Sequence, residues 1–393
     1  MNTIQNEKAL VNCEIYTGDS VLTNHAVWIR DDKIISTPES SNLPGGIETI
    51  DLNGLTVAPA FIDAQINGGG GVLFNNNLDT KGLKKISDAH EKYGVLNFCP
   101  TIISTDMNSI DKGLQAVQAA MSANTGVIGA HIEGPFIEKT KAGVHDKRFI
   151  RSAEASDIDR LTSWNDKVIR IVTVAPESCN YEYIERLANR GIKVFVGHTN
   201  TTCDLTLESF KRGCVGVTHL YNAMSQLGSR EPGVVGASFF DRNSWAGIIV
   251  DGYHVDYRAV AIAKQNKKNK LFFVTDAMPS VGKPDAVYCI GEYEISYVNG
   301  RLTTANGTLA GSALDMASAV RNAVQKCHIP KDEALRMAST YVAQMLGISE
   351  LGNIKAGAYA DMVILNGQLS VDAVVRRGEY RRINTSDDCA ICL

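Results

Sequence analysis

Two kinds of apolar pattern divide the chain. Over the first 55 residues and again over the last 40, short runs of alternating apolar and polar positions are separated by turns. They are "LVNCEIYT", "AVWIRDDKIIST" and "IETIDLNG" at the start, "GNIKAGAYADMVILNG" and "VDAVVRRGEYRR" at the end. Alternation of period two marks half-buried strands. The two ends, residues 1–56 and 351–393, are therefore expected to pair into one small β-sandwich module.

Between them, over 57–350, the apolar runs alternate with helical stretches such as "DTKGLKKISDAHEKYG" and "CDLTLESFKRG". Candidate strands lie at 57–65, 95–101, 127–133, 169–176, 193–198, 216–219, 245–251 and 271–276. Eight β/α units in this length predict an α/β protein built on a (β/α)8 TIM-like barrel. A further β-rich piece at about 282–308, with the hairpin dipeptide Asn299-Gly300, reads as an insertion into the barrel.

Composition narrows the function classes. A chain of 393 residues suits a large barrel with a smaller module, and its 44% hydrophobic and 21% charged residues are those of a globular enzyme. The net charge of −4 and the lack of a basic run exclude nucleic acid as the main partner. No apolar stretch is long enough to cross a bilayer. The start, "MNTIQNEKALVNCEIY", lacks the basic and apolar segments of a signal peptide. Nine scattered cysteines read as reduced thiols, so a cytoplasmic location and no membrane partner are expected. Cys389 and Cys392 form the one C-x-x-C pattern, without the second pair that a zinc ribbon needs.

In a (β/α)8 barrel the active site lies at the C-terminal ends of the strands. Those ends carry Glu133 in "GAHIEGPF", His198 in "VFVGHTN", His219 in "GVTHLYNAM", His254 in "DGYHV" and Asp276 in "FVTDAM". One carboxylate and two imidazoles, Glu133, His198 and His219, make a His2Glu set that leaves a fourth metal position open for water. At the end of the first strand, "APAFIDAQINGGGG" offers only the neutral amides Gln65 and Asn67, poor ligands for a transition metal. Two roles stay open for these amides: hydrogen bonding to bound water, or filling a vacant half-site. His131 shares a face with Glu133 but lies deeper, which suits support of the ligands or packing. His25, His90 and His328 are read as structural. Gly68 to Gly71, lacking the rest of a phosphate-loop motif, are read as close-packed turn glycines.

These residues resemble the N-acetylglucosamine-6-phosphate deacetylases of the amidohydrolase superfamily. The resemblance spans nearly the whole chain and rests on "HIEGPF", "KAGVH", "VGHTNT", "THLYNAM", "REPGVVGA", "DGYHV", "VTDAM", "TLAGS" and "GNIKAGAYADMVIL". It implies one divalent metal, Zn2+ before Fe2+, Co2+ or Mn2+, because members with Gln-x-Asn in place of His-x-His work with a single ion. The fourth strand, "IRIVTVAP", also lacks the lysine that bridges two metals in some relatives. The resemblance further implies Asp276 as proton acceptor and donor and His145 as a contact to the acetyl carbonyl. Val144, Asn222, Ala223, Leu309, Ala310 and Gly311 would line the sugar. His254 and Arg230 would bind a 6-phosphate, and Arg230 could instead be a surface ion pair with Glu231. The implied reaction converts N-acetyl-D-glucosamine 6-phosphate to glucosamine 6-phosphate and acetate, in amino-sugar catabolism or cell-wall sugar recycling, by a homodimer. Another barrel amidohydrolase acting on an unphosphorylated N-acyl or cyclic amide is the alternative enzyme. A catalytically dead assembly protein is the non-enzyme alternative, disfavoured by the intact Glu133, His198, His219 and Asp276.

Overall fold

The structure is a computed structural model that describes residues 7–383 except 166, 292, 299, 305, 306 and 308. Cys389, Cys392, Asn299 and the first six residues of the chain lie outside the described residues. The chain divides into two compact units. One takes the chain up to Ile62, Glu91–Leu96 and the chain from Met316 onward; the other takes Asp63–His90 and Asn97–Asp315.

In the first unit, one sheet has the order Lys33–Ser36, Val27–Arg30, Glu7–Val11, Glu48–Asp51. The other runs Glu379–Arg382, Val371–Arg376, Met362–Leu365, Thr56–Pro59, Glu14–Tyr16, Val21–Leu22. The chain ends meet where Thr56–Pro59 pairs antiparallel with Met362–Leu365. Leu10, Val27 and Ile29 from the first sheet and Ile15, Val57, Ile364, Ala373 and Val375 from the second share one buried cluster. Three helices, Met316–Gln325, Lys331–Ala338 and Thr340–Leu346, belong to the same unit.

The eight-stranded sheet runs in sequence order: β1 Phe61–Ile66, β2 Val95–Ile103, β3 Ala130–Glu133, β4 Ile169–Val174, β5 Lys193–Val196, β6 Cys214–Val217, β7 Trp245–Ile248 and β8 Leu271–Phe273. From β2 to β8 each strand pairs in parallel with the next. Ile66 bridges Ala277 in parallel, and Asp276 N–H donates to Gln65 O at 3.0 Å, which joins the two edges into a barrel. The helices α1 Thr80–Glu91, α2 Met107–Ser122, α3 Ala155–Ser163, α4 Tyr181–Asn189, α5 Cys203–Lys211, α6 Gly233–Phe240 and α7 Tyr257–Lys267 follow successive strands. Of the described helices, none is long and apolar enough to cross a membrane.

The expected first strand, 57–65, is in fact two. Ala60 N–H still donates to Asp361 O in the six-stranded sheet, whereas Phe61 N–H donates to Gly94 O. The chain thus changes partner between adjacent residues. Every residue from Thr56 to Ile66 is buried, so the apolar run carries no sign of the break. The strands expected at 127–133, 169–176, 193–198, 245–251 and 271–276 are shorter than predicted. The insertion is a three-stranded antiparallel sheet, Tyr288–Ile290, Tyr293–Val298 and Arg301–Thr304. Its Tyr288, Ile290, Ile295 and Leu302 bury against Leu73, Ile103, Met278 and Ala310.

Candidate active site

The residues singled out at the strand ends come together by a shared backbone device. Glu133 is the last residue of β3, while His198, His219 and Asp276 stand two, two and three residues beyond β5, β6 and β8. These three have φ of 46°, 30° and 53°, a left-handed conformation uncommon outside glycine. Such backbone persists where the surroundings over-determine it, and it gathers at functional sites. Here it takes each residue out of the ladder and turns its side chain over the barrel mouth.

The result is a tight cluster. Glu133 Oε1 lies 3.1 Å from His219 Nε2 and 3.3 Å from His198 Nε2, and the two Nε2 atoms are 3.0 Å apart. All three side chains are buried. His198 Nδ1 donates to the Lys141 carbonyl at 2.7 Å, leaving Nε2 with its lone pair facing Glu133 and His219. A carboxylate and two imidazole nitrogens converging this closely fit a divalent cation. Among the described residues this is the one such group of three.

Electrostatics follow from burial and proximity. Burial works against ionised Glu133, but the adjoining His198 and His219 imidazoles outweigh it and hold the carboxyl well below its ordinary range. For His219, burial is likewise outweighed by Glu133, and the imidazole is pushed up. Burial, and then the charge of Glu133, push the Asp276 carboxyl up. Asp276 Oδ1 accepts from Asn67 Nδ2 at 2.6 Å and from Gln65 Nε2 at 3.3 Å. Gln65 Nε2 also reaches both Glu133 oxygens, at 3.1 and 3.2 Å. Gln65 in β1 and Asn67 just beyond it therefore brace the two carboxylates.

These groups open into a cavity of about 370 Å3 lined by Asn67, Glu133, Val144, His145, His198, His219, Asn222, Ala223, His254, Asp276, Leu309 and Gly311. Burial, followed by the charge of His198, pushes the His145 imidazole down to about 3, so the ring is neutral at physiological pH. His254 Nδ1 lies 2.6 Å from Asp251 Oδ2. His131 sits below, its Nε2 2.8 Å from Thr173 Oγ1, and burial pushes it down to about 4. Ala310 is fully buried against the insertion and does not line the cavity. Arg230 is exposed and lies outside its own chain's cavity. Its neighbour Glu231 accepts from the backbone N–H groups of Cys203 and Gly233 at 2.8 and 2.9 Å and makes no ion pair with Arg230. His90 is a buried anchor, as expected, with Nε2 2.9 Å from Gly68 O.

Sequence reasoning missed three contributors. Lys141 braces His198 through its carbonyl and lines the cavity, yet nothing in a lysine's identity announces a carbonyl contact. Asp63 accepts from Thr275 Oγ1 at 2.5 Å and from the N–H of Gln65 at 3.0 Å, tying the residues beside Asp276 to β1; burial pushes its carboxyl up to about 7. Ser104 touches His145.

Comparison with known proteins agrees with this geometry. The amidohydrolase family model matches residues 56–381, and a "NagA composite domain" model matches residues 9–57. The chain is 36% identical to the N-acetylglucosamine-6-phosphate deacetylase of Haemophilus influenzae, over 95% of this chain and 99% of that protein. It is also 36% identical to the N-acetylgalactosamine-6-phosphate deacetylase of a Shewanella species, over 82% of each. The crystal structure of the N-acetylglucosamine-6-phosphate deacetylase from Pasteurella multocida superposes with a TM-score of 0.93 at 34% identity, covering 96% of this chain and all of that one. With its barrel, its buried Glu-His-His cluster and these matches along most of its length, the chain belongs to the amidohydrolase family, among the N-acetylglucosamine-6-phosphate deacetylases.

Proposed function

We propose that the protein hydrolyses the acetamide of N-acetyl-D-glucosamine 6-phosphate to glucosamine 6-phosphate and acetate, as a cytoplasmic homodimer with one Zn2+ per chain. The observation that carries this reading is the convergence of Glu133, His198 and His219 beside Asp276, in a cavity that also holds His145 and His254. Fe2+, Co2+ or Mn2+ suit the same donors. A divalent ion held by Glu133, His198 and His219 supplies Lewis acidity, which makes water a nucleophile at neutral pH.

Asp276 takes the proton of the attacking water as the new C–O bond forms, and then delivers it to the amide nitrogen. The C–N bond breaks, and acetate and a free amine leave. The carboxylate's raised affinity for a proton suits both halves of that transfer. His145 donates a hydrogen bond to the acetyl oxygen, where negative charge develops. Val144, Asn222, Ala223, Leu309 and Gly311 surround the sugar, with Ala310 supporting its neighbours from behind. Gln65 and Asn67 occupy what would be a second metal position and leave room for one ion. His254 meets the phosphate, together with Arg230 from a second copy of the chain. The exposed position of Arg230, away from its own cavity, supports that arrangement.

The galacto epimer differs at one hydroxyl, and the Shewanella relative makes it the competing substrate. The longer match to the Haemophilus enzyme favours the gluco sugar. Metal removal tests the centre: chelation is expected to abolish acetate release, and one equivalent of Zn2+ per chain to restore it. Glu133→Ala or His198→Ala should lose metal and turnover together. Two equivalents retained through gel filtration, or activity that survives chelation, would refute the single-ion reading.

A further inference from the structure

His145 is useful as a hydrogen-bond donor to a carbonyl only if its cavity-facing nitrogen carries the proton. A neutral imidazole has one N–H, so the partner of the other nitrogen decides the matter. Both hydrogen bonds to this ring fall on Nδ1. The Ser104 hydroxyl lies 2.8 Å from it, and the Ser104 backbone N–H is directed at the same atom with N···N 3.3 Å. A backbone N–H only donates, so Nδ1 accepts and the proton resides on Nε2. No hydrogen bond to Nε2 is found among the described residues, and the ring lines the cavity.

Ser104 is itself held in place. It follows β2, and Asn75 grips the preceding residue through both backbone groups, with Nδ2 donating to Ile103 O and Oδ1 accepting from Ile103 N–H, each at 3.0 Å. Beside this contact stands Gly134, with φ 80°. A Cβ there would come within 2.3 Å of Ser104 Oγ, so glycine leaves the space in which the hydroxyl faces the ring. Ser104 and His145 are 4% and 3% exposed, which keeps water from competing for Nδ1.

We propose that Ser104 is a positioning residue: its hydroxyl and backbone N–H fix His145 as the Nε2–H tautomer, turned to donate into the cavity, with Asn75 holding the backbone that carries it. The consequence for turnover rests on the deacetylase reading of His145; the tautomer does not.

The test uses the metal-loaded enzyme with 15N-labelled histidine. His145 is assigned by comparison with His145→Gln, and its ring nitrogens are read by NMR at neutral pH without substrate. A bare Nδ1 and a protonated Nε2 are expected; a protonated Nδ1 overturns the proposal. Ser104→Ala removes the hydroxyl and keeps the N–H. It should retain metal, lower kcat about tenfold, a fraction of what losing an oxyanion donor outright costs, and leave KM within about twofold, while Ser104→Thr restores kcat. A Ser104→Ala kcat within twofold of wild type, or a loss that Ser104→Thr shares, also overturns it. If Ser104→Ala does not fold, the wild-type spectrum decides alone. Failure of the deacetylase reading would look different: wild-type enzyme would release no acetate, whatever the tautomer.

Discussion

Asp276 is the residue proposed to carry the proton, and its surroundings are unusual for a carboxylate. It occupies left-handed backbone with φ 53°, accepts a 2.6 Å hydrogen bond from Asn67 and stands near the negative charge of Glu133. Asp276→Asn keeps the shape and can still pair with Asn67 through its amide oxygen, but it cannot take a proton at neutral pH. The variant should keep its fold, metal and substrate affinity and lose at least about a hundredfold in kcat, since general acid–base groups contribute 10²–10⁴-fold. Turnover above a hundredth of wild type would remove Asp276 from the proton transfer. That Glu133, His198, His219 and Asp276 gather in one place was legible in the sequence because they fall at strand ends, where titratable side chains have no packing reason to recur. Lys141 and Ser104 were not legible. Both act partly through backbone atoms, which every residue type possesses, and only the folded loop shows where those atoms point.

At the scale of elements, the Gly68–Gly71 turn is joined to α1 by His90. Nε2 of His90 meets Gly68 O at 2.9 Å, and a Cβ on Gly69 would fall 2.8 Å from the same nitrogen, so the helix docks directly on bare backbone. The glycine run was readable as a close-packed turn, but its partner was not, because His90 on a helix looks like any other histidine. Burial pushes His90 from its ordinary 6.5 down to about 4. The unfolded chain therefore binds a proton that the folded one refuses between those values. Stability is full above pH 6.5 and is lost as the pH falls through the window toward 4, by about 3 kcal/mol from this group. His90→Gln retains a donor for Gly68 O without a titrating ring. In denaturant unfolding between pH 7 and 4, this variant should show a shallower loss of stability than wild type. Superimposable pH profiles would mean that His90 takes up its proton in the folded state. Element lengths were the weakest part of the sequence reading. Hydrophobicity continues through the sheet change at Ala60, whereas the hydrogen-bond partner does not.

At the scale of the molecule, the eight-unit rhythm and the alternation at both chain ends made the barrel and the strand-rich module legible, since periodicity reports burial directly. A residue lent by a second copy of the chain, as proposed for Arg230, would leave no such periodic trace. Arg230 is exposed on its own chain, and its loop reads as a long lid or arm broken by Gly228, Pro232 and Gly233. A guanidinium contact distinguishes a 6-phosphate from a hydroxyl because the charge has no partner without the phosphate. The most direct test of the whole account is kcat/KM for acetate release from N-acetylglucosamine 6-phosphate against unphosphorylated N-acetylglucosamine, in wild type and in Arg230→Ala. Wild type should favour the phosphorylated sugar by at least about a hundredfold, and Arg230→Ala should lose most of that preference while leaving the slow reaction of the bare sugar almost unchanged. Equal rates on the two sugars in wild type, or no acetate from either, would contradict the account.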